Sequence, residues 1–283
     1  VMETADDSAL FQSWGSITII NPLEKIWNGY SDTRMGASMD SYLNGYNDPR
    51  LPVYFQPVTE GDNKGEYRGV ANGMPNPQQD DYKAMSAPNV QEKSTDSPLR
   101  WMMASEVAFL RAEGAMRGWT AEMGGTAEEF YNKGIELSFL ENGLSADAAA
   151  RYAADETSKP TDFTDVSAAN TKYNISALGK ITIKWNAGAS EEEQLERIIT
   201  QKWIAMFPNG TEAWSEFRRT GYPLIFPVRS NYPTSGVDTN KQIRRMVFPQ
   251  SEYSNNGAAV QEAVKLLGGP DNGGTKLWWD KKN

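Results

Sequence analysis

The stretch QKWIAMFPNGTEAWSEFRRTGYP, Gln201 to Pro223, holds the end of one helix, a tight break and a complete second helix. The first helix starts after Ser190, which with Glu193 reads as a capping box. It runs to about Met206 and turns Leu195, Ile198, Ile199, Trp203 and Met206 to one side, the spacing of an amphipathic helix. Pro208-Asn209-Gly210 turns the chain, and Thr211 reads as the cap of the next helix, whose apolar residues are Ala213, Trp214 and Phe217. Gly221 supplies a positive-φ stop and Pro223 forbids continuation. The segment is therefore a helix hairpin over about 190–220.

A second hairpin is expected upstream, over about 98–140. Ser97-Pro98 reads as a cap with Pro at the first helical position, opening a helix to about Arg117 with Trp101, Ala104, Val107 and Leu110 on its stripe. Thr126 and Glu129 form a capping box for the return helix, Ala127 to Leu140. A short Ala-rich helix follows over Ser145 to Ala154, and a last one is expected over about Gly257 to Leu267. Residues 32–45 read as a further helix, and Ile17–Ile20 and Ile181–Trp185 as short strands. The two hairpins start about 92 residues apart, whereas a tandem tetratricopeptide array repeats every ~34. The fold class expected is mainly α, with tetratricopeptide-like helix hairpins, long irregular loops over about 47–97 and 156–189, and minor short β-strands. Loops of that length in a compact domain are usually functional.

Composition excludes several chemistries. The 283 residues contain no Cys and no His. Disulfides, thiolate metal sites, Ser-His-Asp and Cys-His catalysis are thus ruled out. With 28 basic and 37 acidic residues the net charge is -9, which repels a phosphate backbone and argues against nucleic acid as a partner. No run of apolar residues is long enough to span a membrane as a helix. The chain opens Val1-Met2-Glu3, with no visible signal peptide, which suggests a piece of a longer protein.

Several motifs, in order, resemble the C-terminal part of the SusD/RagB family. They are Asp48-Pro49-Arg50-Leu51, Tyr67-Arg68-Gly69-Val70-Ala71-Asn72-Gly73, Ser105 to Glu113, Gln201-Lys202-Trp203, Glu212-Ala213-Trp214 through Arg218-Arg219-Thr220-Gly221-Tyr222-Pro223, Arg244-Arg245 before Phe248-Pro249, and Leu277-Trp278-Trp279-Asp280. The resemblance implies that residues 1–283 are the C-terminal portion of a single SusD-like domain. It implies a non-catalytic lipoprotein on the extracellular face of the outer membrane, anchored through an N-terminal part outside this chain. Such a protein binds an oligosaccharide and delivers it to a SusC-type TonB-dependent transporter. A peptide ligand, as in the RagB branch, is the alternative.

The remaining candidates follow from the residues themselves. Paired carboxylates such as Glu128-Glu129 and Glu191-Glu192-Glu193 are the raw material of a glycosidase, but helix capping and the helix dipole account for them. Asp62-Asn63 and Asp271-Asn272 sit in Gly-flanked loops and offer oxygen ligands to Ca²⁺; turn chemistry explains them without a metal, and no metal or other cofactor is expected. Arg218 and Arg219 complement a helix C-terminus. A sugar site needs a flat aromatic face beside amides or charges. The expected ligand residues are therefore Tyr67, Arg68, Asn72 and Tyr82, with Tyr54 and Trp185, and with Tyr173 and Asn63 close behind.

Overall fold

The computed structural model describes residues 1–74, 78–89, 97–231, 235–280 and 282. In chain order it contains β1 (Ala9–Phe11), α1 (Pro22–Glu24), α2 (Ala37–Gly45), α3 (Leu51–Tyr54), α4 (Gln79–Tyr82), β2 (Leu99–Met102), α5 (Ala104–Met116), α6 (Thr120–Met123), α7 (Ala127–Glu141), α8 (Ala146–Ala153), α9 (Glu191–Ala205), α10 (Gly210–Thr220) and α11 (Gln250–Leu267). The two strands form one antiparallel pair. The architecture is the mainly helical one expected, with α5 packed on α7, and α9 packed against both.

Local chemistry sets most boundaries. The Thr126 hydroxyl accepts the Glu129 N–H at 3.2 Å while the Glu129 carboxylate accepts the Thr126 N–H at 2.7 Å, a complete capping box. Ser145 caps α8 by accepting from Ala148 N–H at 3.1 Å. Gly221, at φ +77°, closes α10 in the left-handed region that a side chain resists. At α9 only half of the expected box forms. Ser190 accepts from Glu193 N–H at 3.2 Å, but the Glu193 carboxylate turns to Arg197 at 2.6 Å. The cap of α10 is Asn209, which accepts from Glu212 N–H, and not Thr211.

The start of the first hairpin differs from expectation. Residues 99–102 are not the first turn of a helix but a strand paired with Ala9–Phe11. Trp101 therefore leaves the helical stripe, stands 69% exposed and packs on Phe11 with ring centroids 5.1 Å apart. The helix begins at Ala104, and its first donors are satisfied from far away. Ser8 Oγ accepts the Ala104 N–H at 3.0 Å, and the Glu141 carboxylate accepts the Ser105 N–H at 2.8 Å and the Ser105 hydroxyl at 2.5 Å. Ile181 to Trp185 alternates buried and exposed as a strand would, but finds no ladder partner. Ile17 makes only an isolated bridge with Trp14. Helix α2 starts at Ala37 rather than residue 32, and α11 at Gln250, with a kink at Asn256.

The main core lies where α2, α5, α7, α8 and α9 meet and includes Tyr42, Tyr46, Phe109, Tyr131, Ile135, Phe139, Tyr152 and Ile198. Burial of each such side chain contributes about 1.5–3 kcal/mol. Helices α5 and α7 approach closely because residue 134 is Gly. A Cβ there would lie 2.7 Å from the Phe109 ring. Inside this apolar mass sits Arg50, fully buried. It donates to both Asp48 carboxylate oxygens at 2.9 and 2.6 Å, to Ser138 at 3.0 Å and to Gln201 at 3.0 Å, and its guanidinium carbon lies 5.1 Å from the Phe139 ring centroid. Lys202 is also buried, with Glu106, Glu212 and Glu216 at 3.8, 3.4 and 3.3 Å. Burial pushes the Glu106 carboxyl above its usual range, although Lys202 opposes the shift. Arg219 bridges Glu113 and Glu216, each at 2.6 Å.

The Trp278-Trp279 pair divides as its sequence suggests. Trp278 is 82% exposed. Trp279 faces Arg218, which is held on its other side by Trp214 at 3.5 Å, and Asp280 pairs with Arg244 at 2.6 Å. Arg218 thus ties α10 to the tail, while Arg219 ties α10 to α5.

Candidate functional site

The long irregular segments lie on α2, and side chains of α2 hold them there. Asp40 accepts the Gly69 N–H at 2.7 Å and Asn44 donates to the Tyr67 carbonyl at 2.9 Å. Main-chain bonds then stitch three neighbouring stretches together: Met35 N–H to Ser86, Val70 N–H to Met35, and Ser86 N–H to Arg68. The second irregular segment joins the first where the Ala168 N–H donates to the Asp81 carbonyl at 3.0 Å.

On this face opens a cavity of about 500 Å³ lined by Tyr30, Asp32, Arg34, Gln78, Gln79, Tyr82 and Lys83. One wall follows a π-helical turn, Lys25–Tyr30, which ends because Ser31 takes a left-handed conformation at φ 56° and reverses the chain. Tyr30 is left 61% exposed. The other wall is α4, whose last residue is Tyr82. Arg34 joins the walls. Its Nη1 donates to the Ser31 and Thr33 carbonyls at 3.0 and 2.8 Å, its Nε to the Tyr82 carbonyl at 3.1 Å, and its Nη2 to the Lys83 carbonyl at 3.2 Å. Lys83 pairs with Asp80 at 3.1 Å. Burial raises the Tyr82 phenol above its usual pKa, and Asp165 and Asp81 add to the shift. Burial lowers that of Arg34, with Asp32 opposing.

This arrangement suits a small polar ligand with an apolar face. Two tyrosine rings offer flat surfaces, while Asp32 and the Gln79 amide offer hydrogen-bonding groups to hydroxyls. The volume falls in the usual range for ligand sites, about 300–1,000 Å³.

The expected ligand residues do not gather in one place. Tyr82 lines the cavity. Asn72 is exposed nearby and lines an adjoining apolar groove of about 460 Å³ to which Arg34 also contributes. Tyr67 is half-buried against the main core. The Arg68 guanidinium is held by Glu66 at 2.7 Å. Tyr173 is half-buried, with its hydroxyl donating to the Pro227 carbonyl at 3.3 Å. Two of the expected residues are core side chains. Tyr54 is 4% exposed, its ring 4.9 Å from Phe207 and its hydroxyl beside Asn142. Trp185 is 8% exposed, with its ring 5.2 Å from Tyr131 and only an edge reaching a wide depression beside α7 and α8. Tyr54 ends the short helix α3 and Trp185 lies in an irregular segment, but both stretches lie directly on the core, so their aromatics fill it.

Sequence reasoning missed Tyr30 and Arg34. The available signal is an aromatic after Gly29 followed by the polar run Ser31-Asp32-Thr33, which breaks helical periodicity, whereas the helix expected over 32–45 takes in Asp32, Thr33 and Arg34. The two loops considered for Ca²⁺ are explained by local bonds. Gly61 and Gly65 at positive φ flank a turn around Asp62-Asn63. Asp271 receives Arg245, the Phe248 N–H and the Tyr253 hydroxyl.

No curated protein sequence matches the chain significantly. Solved structures do. A structure described as a chitin-binding SusD homolog from Flavobacterium johnsoniae is 42% identical with a TM-score of 0.89; it is matched by 100% of this chain and over 56% of its own length. A SusD homolog from Bacteroides vulgatus is 38% identical with a TM-score of 0.90, matched by 100% of this chain and over 55% of its own. One from Bacteroides thetaiotaomicron is 41% identical with a TM-score of 0.89, the shares being 100% and 58%. The chain therefore spans a little over half the length of these relatives. The family model for SusD-like proteins, described as SusD and RagB outer membrane lipoproteins, matches residues 1–280, and the chain belongs to that family.

Proposed function

We propose that this chain is the C-terminal portion of a non-catalytic glycan-binding protein. In this reading, an oligosaccharide is held in the cavity between Tyr30 and Tyr82 and passed to a SusC-type TonB-dependent transporter at the extracellular face of the outer membrane. The observation that carries the reading is the pair of tyrosines, Tyr30 and Tyr82, in the lining of a cavity whose other described lining residues are polar. Stacking of a pyranose ring on an aromatic face gives affinity, and side-chain oxygens and amides select hydroxyl orientation. The relative described as chitin-binding makes chitooligosaccharides the first ligands to try.

Calorimetry of the chain against chitooligosaccharides, xylan, glucan and mannan oligomers tests this. Tyr82→Ala and Tyr30→Ala should each weaken the ligand that binds by roughly tenfold or more, since an aromatic contact is worth about 0.5–1.5 kcal/mol beyond the area it buries. Unchanged affinity in both variants would remove the cavity from the proposal. Co-purification of the full-length protein with its transporter tests the delivery step.

A further inference from the structure

Resting on that reading, we infer that the Tyr30–Tyr82 cavity takes uncharged oligosaccharides, and that Arg34 is a positioning residue which clasps the two tyrosine walls together rather than a receptor for an acidic sugar.

An arginine lining a ligand cavity ordinarily invites a carboxylate or sulfate, because its planar fork grips anions in pairs of hydrogen bonds. Here the fork is occupied. Four main-chain carbonyls, two from Ser31 and Thr33 and two from Tyr82 and Lys83, accept from its Nε, Nη1 and Nη2 at 2.8–3.2 Å. The first pair follows Tyr30 directly, and the second pair begins at Tyr82 itself. One guanidinium thus ties together the two backbone stretches that carry the aromatic faces, and so sets the gap between them. One of the five guanidinium N–H groups is left over, so an anion could gain a paired grip on Arg34 only by breaking one of these bonds and loosening the walls.

The other charges around the cavity point the same way. Lys83 is paired with Asp80. Arg229 donates to the Thr171 carbonyl at 3.1 Å, and Lys172 to the Ser167 carbonyl. Lys25 lies 6.0 Å from the centroid of the Tyr30 ring, outside the lining. Against these stand Asp32 in the lining and Asp81 and Asp165, which add to the rise that burial gives the Tyr82 pKa while Arg229 opposes it. A carboxylate entering the cavity would lose its water and meet acidic neighbours, and the two cations of the described lining, Arg34 and Lys83, are already engaged elsewhere. A neutral sugar faces neither cost.

The test compares length-matched neutral oligomers (chitohexaose, cellohexaose) with acidic ones (oligogalacturonate, oligomannuronate) by calorimetry at low and high salt, using the chain and its Arg34→Gln and Arg34→Lys variants. The expected result is binding of a neutral oligomer that changes less than twofold with salt, at least tenfold weaker binding of the acidic set, and a loss of tenfold or more for the neutral ligand in Arg34→Gln with the unfolding transition still cooperative. The lysine variant should fail to restore affinity, because one ammonium cannot reach carbonyls on both walls in the fork geometry. Salt-sensitive binding of an acidic oligomer that Arg34→Gln abolishes and Arg34→Lys retains would overturn the inference while leaving glycan binding intact. Undiminished neutral binding in Arg34→Gln would also overturn it. Binding of no oligosaccharide by the chain would instead overturn the glycan reading and, with it, this inference.

Discussion

Two arginines, Arg50 in the helical scaffold and Arg34 on the loop face, do related work in different ways. Arg50 lies at the centre of the core and answers to side chains: Asp48, Ser138 and Gln201, with Phe139 under its plane. Arg34 is half-buried on the loop face, and its hydrogen bonds among the described residues go to main-chain carbonyls. In the scaffold Arg50, Lys202 and Arg219 are each matched by specific acidic side chains, because a buried charge without a partner is prohibitively costly. At Arg34 the backbone itself is the partner, so the side chains around it are open to vary. The scaffold is specified by residue identity, whereas the cavity is specified by chain path.

Substitutions can break or sharpen this contrast. The largest effect on stability is expected from Arg50→Ala, which leaves Asp48 buried and unpaired. A loss of about 3–5 kcal/mol is expected from urea unfolding, enough to unfold a marginal domain. Gly134→Ala should cost less, about 1–3 kcal/mol, as the new methyl group forces Phe109 or the α5–α7 spacing to yield. Removal of a single cap by Ser145→Ala should cost about 1 kcal/mol by the same measurement. The smallest stability change should come from the loop face. Tyr30→Ala should alter unfolding by no more than about 0.5 kcal/mol while weakening ligand binding, since the residue is largely exposed. A Tyr30 variant as damaging as Arg50→Ala would erase the distinction between the two regions.

The same contrast explains what the sequence discloses. Elements closed by neighbours were legible: Thr126 with Glu129, Ser145 with Ala148, and Gly221 after α10 all act within three residues of their partners or at a single φ angle. The start of α5 was not, because its donors are met by Ser8 and Glu141, and no local pattern records partners so distant. The strand-like alternation of Ile181 to Trp185 reflects burial on one side without a ladder. Of the cavity, Tyr82 was legible as an aromatic in a loop. Tyr30 and Arg34 were not, since the carbonyls that fix Arg34 belong to the backbone and leave no residue-type signature. Tyr54 and Trp185 share the loop-aromatic description with Tyr82 and yet lie in the core, because the path of an irregular segment decides which side of it faces water.

The long-range closure of α5 has a practical consequence for anyone trimming the protein. A shortened version starting beyond Phe11 would remove both a hydrogen-bond acceptor for the Ala104 N–H and the strand that pairs with Leu99–Met102. The helix would keep its own sequence but begin from a ragged, water-exposed end, and protease attack would be expected to begin near Leu99–Ala104. Eleven residues outside the described lining of the cavity would then decide whether the helix hairpin survives expression.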